Sequence, residues 1–394
     1  MGNCCLRKQL QEPNQPVGFA QPSTGRDNRV RRKGHVKSPT AVGTGSNLKK
    51  DEIMSSHAYK PHCFFYSDLK SATNKFSQKN FIGEGGFGDV YKGYVSFCSM
   101  IPTKPYEGFT VAVKRLRCWR PEGCREWENE VTFLGKLNHP NIVRLIGFCC
   151  EEEHRILVYE YMTRGSLETC LLKDDQKELN WRRRINIAIG AARGIAYIHS
   201  HGKSIIHRDI KASNFLLDSN FNPKLSDFGL AKHGPDNDDD HVSTRVLGTK
   251  GYFAPEYIGT GHLTVKVDVY SFGVVLLEIL CGSSAVKKCS YRMVGDFVQK
   301  AKSCLSSKTE LHRFIDERLG NNVPTEEARK FAKITNQCLS MDPKSRPTMP
   351  EVVAGLEQLE HSNSQISLGY TSFSACPPPS AIKYPRSNGC KIKR

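Results

Sequence analysis

The chain has 394 residues, which is longer than one average domain and enough to bury a large core. Its 38% hydrophobic content excludes a fibre and a wholly disordered chain. The most apolar stretch, residues 269–280, contains Glu278 and is too short to cross a bilayer, so it predicts a buried helix.

The net charge of +17 is concentrated at the two ends of the chain. Residues 1–60 hold 11 Lys/Arg and 4 Asp/Glu, and residues 361–394 hold 5 Lys/Arg and no acidic residue, so the ends carry 12 of the 17 excess charges. A nucleic-acid-binding domain usually carries its positive charge on the folded part. The distribution therefore argues against a partner that is a specific nucleic acid.

Fifteen cysteines occur at irregular spacing, without paired C-x-x-C motifs. A chain of this size with no apolar secretory segment is not expected to depend on disulfides. Most of the thiols are therefore predicted to be small buried hydrophobes in a reducing compartment.

Both ends of the chain, residues 1–60 and 361–394, are predicted to be disordered basic tails, because they are polar, proline-bearing and without periodicity. The start of the chain predicts acylation, with a myristoyl chain on Gly2 and palmitoyl chains on Cys4 and Cys5. Leu6 departs from the myristoylation pattern, which has Ser or Thr there. The alternative is a frayed terminus with two idle thiols.

Two signals are needed for stable anchoring, because one myristoyl chain gives an association constant of only about 10⁴ M⁻¹. The basic residues between 29 and 37 would add about 1 kcal/mol each near anionic lipid. The run 29–33 equally fits a nuclear signal or a solvated stretch.

Folded sequence is predicted to begin near Phe64, with a helix over 67–76. The segment 82–90 then holds three glycines in a G-x-G-x-x-G pattern, which alone fits a dinucleotide turn about as well. The stretches that follow, 90–93 and 110–114, are β-prone, with a loop over 94–109 between them. Two strands joined over glycines make a flap whose backbone can approach phosphates closely.

Lys114 ends the second of these strands and resembles the phosphate-contacting lysine of a protein kinase, which implies an acidic partner on a helix. Apolar residues at helical spacing predict a helix over 124–137, and Glu130 lies beside them. The alternatives are a surface lysine and an exposed helix charge. Strands are predicted over 142–149 and 155–159, ending at a natural hinge.

Beyond residue 162 the hydrophobic period changes from 2 to 3.6, and helices follow. They are predicted over 185–199, 265–280, 291–305 and 326–340, with a last helix after Arg346-Pro347.

The stretch 206–214 places a carboxylate, a lysine and an amide within six residues, at Asp209, Lys211 and Asn214. Asp227 follows thirteen residues after Asn214, in Asp-Phe-Gly. A carboxylate to orient a hydroxyl, a lysine for phosphate charge, and an Asn and a second Asp for metal suggest phosphoryl transfer.

Six motifs in order resemble those of a eukaryotic protein kinase: the glycine loop, Val-Ala-Val-Lys, the helix Glu, His-Arg-Asp-x-Lys-x-x-Asn, Asp-Phe-Gly and Ala-Pro-Glu. The resemblance covers roughly residues 75–360. Segments such as 157–162, 225–232 and 268–273 look like plant receptor-like kinases. With an acylatable start, the 94–109 insertion and no predicted membrane span or ectodomain, the chain is similar to a receptor-like cytoplasmic kinase, close to subfamily VII of the receptor-like/Pelle group.

The resemblance implies an α+β, bilobal protein kinase fold over residues 61–360. The N-lobe, about 75–160, would be small and mostly antiparallel β with one key helix. A hinge at 160–164 would lead to a larger, mostly α-helical C-lobe over 165–360.

The resemblance also implies a role for each residue that matches a motif, with ATP and Mg²⁺ as cofactors and Mn²⁺ as an alternative ion. Asp209 would accept the hydroxyl proton, Lys211 would neutralise the γ-phosphate, and Asn214 and Asp227 would hold the metal. The ATP-binding set would be Gly83, Gly85, Gly88, Val90, Ala112, Lys114, Glu130, Glu160 and Met162.

Lys211, two residues after Asp209, resembles the serine/threonine class and predicts Ser/Thr substrates. Arg208 beside Asp209 is a charge that a phosphate can order, which predicts control by phosphorylation. Ser243 and Thr244 are the favoured phosphosites. Thr249 is a third candidate, although in this family it usually shapes the substrate platform.

The expected partners are proteins with Ser or Thr acceptors, an upstream receptor kinase, and the membrane itself through the acylated, basic N-terminus. The expected location is the cytoplasmic face of the plasma membrane, with a nuclear or cytosolic pool as an alternative. The role would be a relay in immune or growth signalling. The competing hypothesis is a catalytically silent pseudokinase that acts as a scaffold.

Overall fold

A computed structural model describes residues 60–85, 88–105, 107–117, 121–173, 179–235, 240–282, 294–307 and 309–361. The predicted disordered tails lie outside these residues except for residues 60 and 361. The acylation sites Gly2, Cys4 and Cys5 and most of the acidic run 236–240 also lie outside them. The chain divides into two compact units, residues 1–164 with 224–232 and residues 165–223 with 233–394.

The first unit is built on a six-stranded sheet in the order β1-β5-β6-β4-β3-β2. Its strands are β1 (His62–Cys63), β2 (Phe81–Gly85), β3 (Gly88–Val95), β4 (Phe109–Leu116), β5 (Leu145–Glu151) and β6 (His154–Glu160). All neighbouring strands pair antiparallel except β1 and β5, which are parallel. Two helices accompany the sheet, α1 (Tyr66–Ala72) and α2 (Pro121–Leu134).

Alternation along β4 separates the core of this unit from its polar face. Val111 and Val113 are fully buried, whereas Ala112 and Lys114 lie on the opposite side of the strand. The residues buried with these valines come from α1, the segment before it and three further strands: Phe64, Leu69, Ala72, Val95, Ile146, Cys149, Ile156 and Val158.

The first predicted helix is shorter than expected. It ends at Ala72 rather than 76, because Asn74, Lys75 and Phe76 all have positive φ angles. The Thr73 hydroxyl holds this turn by donating to the Leu69 carbonyl and accepting from the Phe76 backbone N–H. The helix predicted over 124–137 begins earlier, with Pro121 as its first residue, a position where the missing N–H of proline costs nothing.

The second unit is mostly helical, as predicted. Its helices are α3 (Leu167–Leu172), α4 (Trp181–His199), α5 (Pro255–Thr260), α6 (Val265–Cys281), α7 (Val294–Ser306), α8 (Leu311–Phe314), α9 (Thr325–Cys338) and α10 (Met349–His361). The short strands after the hinge are β7 (Gly165–Ser166), β8 (Ile205–Ile206), β9 (Phe215–Leu217), β10 (Pro223–Leu225), β11 (Lys232–His233), β12 (Val242–Ser243) and β13 (His262–Leu263).

Helix α6 is the centre of the second unit and matches the predicted buried helix. The Thr264 side chain caps its start by accepting from the Lys266 N–H, and almost every residue after Lys266 is buried. Helix α9 packs against α6, and α10 packs against α4. Among the described residues, no helix is both long and apolar enough to traverse a bilayer.

The cysteines correct one prediction. The nine described cysteines are free thiols. Only Cys149, Cys281 and Cys338 among them are buried, so the expectation that most thiols lie in the core is wrong for the described part of the chain. Several of the others occupy short strands and amphipathic helices that leave one side in contact with solvent.

Candidate active site

The predicted nucleotide-binding residues all belong to the first unit. They occupy β2 (Gly83, Gly85), β3 (Gly88, Val90), β4 (Ala112, Lys114), α2 (Glu130) and the end of β6 with the residues after it (Glu160, Met162). Asp227 belongs to the same unit. Strand pairing sets Val90 opposite Lys114, and Ala112 opposite Tyr159.

Lys114 lies between two carboxylates. Its Nζ is 3.0 Å from Glu130 Oε1 and 2.9 Å from Asp227 Oδ1. Burial alone would lower the pKa of Lys114, but Asp227 and Glu130 outweigh it and raise that pKa above its ordinary value. The predicted ion pair with Glu130 is therefore present, and the surface-lysine and exposed-charge alternatives do not hold.

A further carboxylate, Glu126, lies one helical turn before Glu130 and was not anticipated. It is buried, and its Oε2 has no hydrogen-bond partner among the described residues. Burial raises the pKa of Glu126 to about 8, with Lys114 opposing the shift and Asp227 and Glu130 adding to it. Its i, i+4 spacing from Glu130 was the available signal, since both residues must share one face of α2.

The hairpin of β2 and β3, which carries Gly83, Gly85 and Gly88, leaves no room for a side chain at one of its glycines. A Cβ at Gly88 would collide with the Arg115 carbonyl oxygen, because β4 passes close to β3 at this point.

Near the hinge, Glu160 Oε1 accepts from the Arg144 backbone N–H and from Lys224 Nζ. Tyr159, just before it, is buried beside Glu130, and burial, reinforced by the Glu130 carboxylate, raises the pKa of its hydroxyl.

The predicted catalytic residues lie together in the second unit. Asp209 Oδ2 is 2.8 Å from Lys211 Nζ, and Asp209 Oδ1 accepts the Thr249 hydroxyl at 2.6 Å. Lys211 Nζ also donates to Thr249 Oγ1 at 2.9 Å. Asn214 Nδ2 donates to the Asp209 backbone carbonyl at 2.8 Å and to its Oδ2 at 3.3 Å. Three side chains thus fix one buried carboxylate.

A buried aspartate at the start of α6 holds the backbone of this loop. Asp268 is fully buried, and its carboxylate accepts the backbone N–H groups of His207 at 2.8 Å and Arg208 at 2.9 Å. His199 Nε2 lies 3.0 Å from Asp268 Oδ2. Arg208 has a φ of 70°, a conformation that L-residues rarely adopt, so these hydrogen bonds sustain an unfavourable backbone geometry.

Asp268 lies in the segment 268–273 that resembles plant receptor-like kinases, but the sequence alone did not predict that it binds the backbone of the catalytic loop. The signal was an acidic residue in the most apolar helix of the chain. A buried carboxylate requires partners.

The Arg208 side chain reaches the segment that contains the predicted phosphosites. Its Nη2 donates to Thr244 Oγ1 at 3.3 Å, to the Arg245 carbonyl at 3.0 Å and to Tyr257 Oη at 3.1 Å. Ser243 is exposed on β12, which pairs with β13. Thr249, the third candidate, is instead engaged with Asp209 and Lys211.

A buried ion pair also supports the second unit. Arg346, which is buried, makes two parallel hydrogen bonds of 2.7 Å to the carboxylate oxygens of Glu256. The same guanidinium donates to the Ser340 and Lys266 carbonyls. It fastens the start of α5 to the chain around α6 and takes no part in chemistry.

Comparison with known proteins identifies the family. A family described as "Protein tyrosine and serine/threonine kinase" matches residues 76–356. "Probable serine/threonine-protein kinase PBL11" of Arabidopsis thaliana is 50% identical, over 82% of this chain and 85% of its own length. "Receptor-like cytoplasmic kinase 176" of Oryza sativa subsp. japonica is 45% identical, over 92% and 91%. "Serine/threonine-protein kinase BIK1" of Arabidopsis thaliana is 49% identical, over 82% of both.

Membership of this family implies a β-sheet N-lobe, a helical C-lobe, and the use of ATP with a divalent metal. The chain therefore belongs to the protein kinase family and is a serine/threonine-protein kinase of the receptor-like cytoplasmic kinase type.

Proposed function

We propose that this kinase is catalytically competent, with Asp209 as the base that accepts the proton of a Ser or Thr hydroxyl in a protein substrate. The observation that carries this proposal is the hydrogen bond from the Thr249 hydroxyl to Asp209 Oδ1. It indicates that the carboxylate is oriented to receive a proton from an aliphatic alcohol. A general base must lie within hydrogen-bond reach of the proton it abstracts.

In the reaction, the substrate hydroxyl oxygen forms a bond to the γ-phosphorus while the bond to the β,γ-bridging oxygen breaks. ADP leaves, and the hydroxyl proton passes to Asp209. Lys211 would place its positive charge against the transferring phosphoryl group. Its hydrogen bonds to Thr249 and Asp209 hold the ammonium beside the base.

The first unit would bind the nucleotide. Lys114, oriented by Glu130, would contact the α- and β-phosphates, and Gly83, Gly85 and Gly88 would cover them. Val90 and Ala112 would enclose the adenine, and the backbone at Glu160 and Met162 would hydrogen-bond its edge.

Asn214 and Asp227 are the residues that the family resemblance assigns to a divalent cation. Both offer oxygen ligands, which Mg²⁺ prefers. The amide nitrogen of Asn214 is engaged with Asp209, so the amide oxygen is the atom that this side chain offers. Mg²⁺, or Mn²⁺ in its place, would neutralise phosphate charge when bound.

The test is transfer of labelled phosphate from ATP, with Mg²⁺, to a generic protein substrate by the wild type and by Asp209→Asn. The variant keeps the shape of the side chain but loses its basicity, so labelling should fall by about 10²- to 10⁴-fold. Asp218→Asn, at a half-buried aspartate in a turn of the same unit, should label normally. Equal labelling by wild type and Asp209→Asn would refute the assignment, and absence of labelling in both would favour the pseudokinase hypothesis.

We further propose that phosphorylation of Ser243 or Thr244 activates the enzyme through Arg208. The existing 3.3 Å contact between Arg208 and the Thr244 hydroxyl supports this proposal. A phosphate there would gain charge-assisted bonds from a guanidinium that is already buried. A Ser243→Ala/Thr244→Ala variant should lose phosphate and activity. Undiminished activity with no loss of phosphate would contradict the proposal.

The remaining proposal concerns location. Acylation at Gly2, with Cys4 or Cys5, would hold the kinase at the cytoplasmic face of the plasma membrane, where a receptor kinase would act upstream in immune or growth signalling. The receptor-like cytoplasmic kinase type of its relatives supports such a relay. Gly2→Ala and Cys4→Ser/Cys5→Ser variants should both leave the membrane fraction. Retention of both variants would exclude lipid anchoring.

A further inference from the structure

Arg117 lies beside the hairpin of β2 and β3, which carries the three glycines. Arg117 follows the last residue of β4, and its Nη2 is 2.6 Å from Glu84 Oε1 and 2.6 Å from Asp89 Oδ1. Glu84 belongs to β2 and Asp89 to β3. The guanidinium therefore links both strands of the hairpin to the chain that leaves β4.

The two carboxylates require such a cation. Glu84 and Asp89 are direct partners in the antiparallel pairing of β2 with β3. Like charges directly opposite one another destabilise a strand pair, because their side chains lie close together. Arg117 converts this repulsion into attraction by contacting both.

The hairpin also needs support because of its place in the sheet. Strand β3 pairs with β4 along its whole length, from Gly88 opposite Leu116 to Val95 opposite Phe109. Strand β2 is the outermost strand of the described sheet and has β3 on one side only. A Cβ at Gly83 would meet nothing within 4 Å, so this part of β2 has little packing. The link from Glu84 to Arg117 reaches across β3 and restrains β2.

We propose that Arg117 is a positioning residue that holds the glycine hairpin over the nucleotide phosphates through Glu84 and Asp89. The inference rests on the proposed nucleotide-binding role of Gly83, Gly85 and Gly88. Loss of Arg117 has two effects of the same sign. The hairpin opens more readily, and two carboxylates without their cation repel a polyanionic nucleotide. Both effects weaken nucleotide binding, while the base at Asp209 is unaltered.

The experiment measures the KM for ATP and the affinity for Mg-ADP of the full chain and of Arg117→Gln. The KM should rise about two- to five-fold at low salt, as expected for exposed charge pairs, with a smaller change in kcat. Mg-ADP affinity should fall by a similar factor. The ratio of the two KM values should approach one in 1 M salt, where the Debye length is about 3 Å.

A rescue separates this bridge from a general loss of structure. Neutralising the carboxylates in the Arg117→Gln background, by Glu84→Gln and Asp89→Asn, should lower the KM again, because the uncompensated charges are gone. Arg117→Lys should give an intermediate KM, since an ammonium keeps the charge but not the planar fork. A triple variant no better than Arg117→Gln, together with an inert Arg117→Lys, would overturn the proposal.

Arg193→Gln is the matched control. Arg193 makes an exposed pair with Glu357 in the second unit, through Nε and Nη2, and its loss should leave the KM unchanged. Amide hydrogen exchange over residues 81–90, without nucleotide, should be faster in Arg117→Gln than in the wild type. Unchanged exchange and an unchanged KM would refute the proposal.

Two readouts keep this test separate from the proposed function. Mg-ADP affinity and hydrogen exchange do not depend on phosphate transfer, so a wild type that cannot transfer phosphate would overturn the proposed function alone. If Arg117→Gln fails to fold, the single variants Glu84→Gln and Asp89→Asn test the same bridge, and each should accelerate exchange. Normal exchange in both would overturn it.

Discussion

The lysine site of the first unit and the catalytic loop of the second are held in different ways. Around Lys114, side chains from β4, α2 and the Asp227 segment meet through opposite charges, and Glu126 lies close by with a buried oxygen that lacks a partner among the described residues. Around Asp209, every carboxylate oxygen has a donor, and the loop backbone is fixed by Asp268. The lysine site is therefore held by a balance of opposite charges, whereas the catalytic loop is held by a complete set of hydrogen bonds.

The largest effect is expected when the buried hydrogen bonds that hold the catalytic loop are removed. Asp268→Ala leaves the backbone N–H groups of His207 and Arg208 buried without their acceptor, and each such group costs about 1–3 kcal/mol. The free energy of unfolding should fall by roughly 3–5 kcal/mol. Denaturant unfolding measures the loss, and kcat should fall with it.

Asp218→Ala is the control for this variant. Asp218 also accepts two backbone N–H groups, those of Asn220 and Asn222, both at 2.8 Å, but in an exposed turn. Water can replace a lost acceptor there, so the cost should stay below about 1 kcal/mol. Similar losses in both variants would mean that burial does not set the strength of the Asp268 contacts.

The next effect tests the charge balance. Lys114→Met keeps the length of the side chain but removes the cation between Glu130 and Asp227, so kcat/KM should fall by about 10²- to 10³-fold. Lys136→Met, at an exposed lysine just after α2, should behave as the wild type. A Lys114→Met enzyme that retains more than a tenth of wild-type kcat/KM would contradict the assignment.

A smaller effect is expected at Thr249, which links Asp209 and Lys211. Thr249→Val removes the hydroxyl at nearly constant volume and should lower kcat about tenfold, the value of roughly one hydrogen bond to a charged group. Thr249→Ser keeps the hydroxyl and should remain close to the wild type. Steady-state kinetics of the two variants measure this difference, and a loss in Thr249→Ser as large as that in Thr249→Val would contradict a specific role for the hydroxyl.

The smallest effect concerns Glu126 and pH. Its pKa is about 8 in the folded protein, against an ordinary value of 4.5, so between these values the folded state holds a proton that the unfolded chain has released. Stability should therefore fall as pH rises from about 4.5 to 8, and this loss should be absent in Glu126→Gln. Thermal midpoints at pH 5, 7 and 9 measure it, with Glu128→Gln, exposed on the same helix, as the control. A gap between Glu126→Gln and the wild type that does not change with pH would contradict the shifted pKa.

Much of the fold was accessible from the sequence because hydrophobic periodicity survives folding. The alternation over 110–114 predicted β4, and the apolar stretch ending at Leu280 predicted α6. The pairing of Lys114 with Glu130 followed from the resemblance of Val-Ala-Val-Lys and the helix Glu to protein kinase motifs. Boundaries were less accessible, as with α2, because buried residues such as Leu137 lie beyond its end and extend the apparent pattern.

The residues that were missed share one property: their partners are distant in sequence. Asp268 binds backbone groups about sixty residues earlier, and Arg117 joins residues at 84 and 89. A periodic pattern identifies a face but not the partner across it. Glu126 was missed for a related reason. It shares a helix face with the buried Glu130, and a single sequence does not reveal whether a second carboxylate on that face is also buried.

The parallel pairing of β1 with β5 has a practical consequence for the limits of the kinase domain. The family match begins at residue 76, yet β1, α1 and the buried side chains of Phe64, Leu69 and Ala72 precede it. A protein trimmed to residue 76 would lose the side chains of Phe64 and Leu69, whose burial is worth about 1.5–3 kcal/mol each. It would also uncover the edge of β5, a row of unpaired backbone groups that invites self-association. Expression from residue 60 should give soluble monomer where the shorter form aggregates.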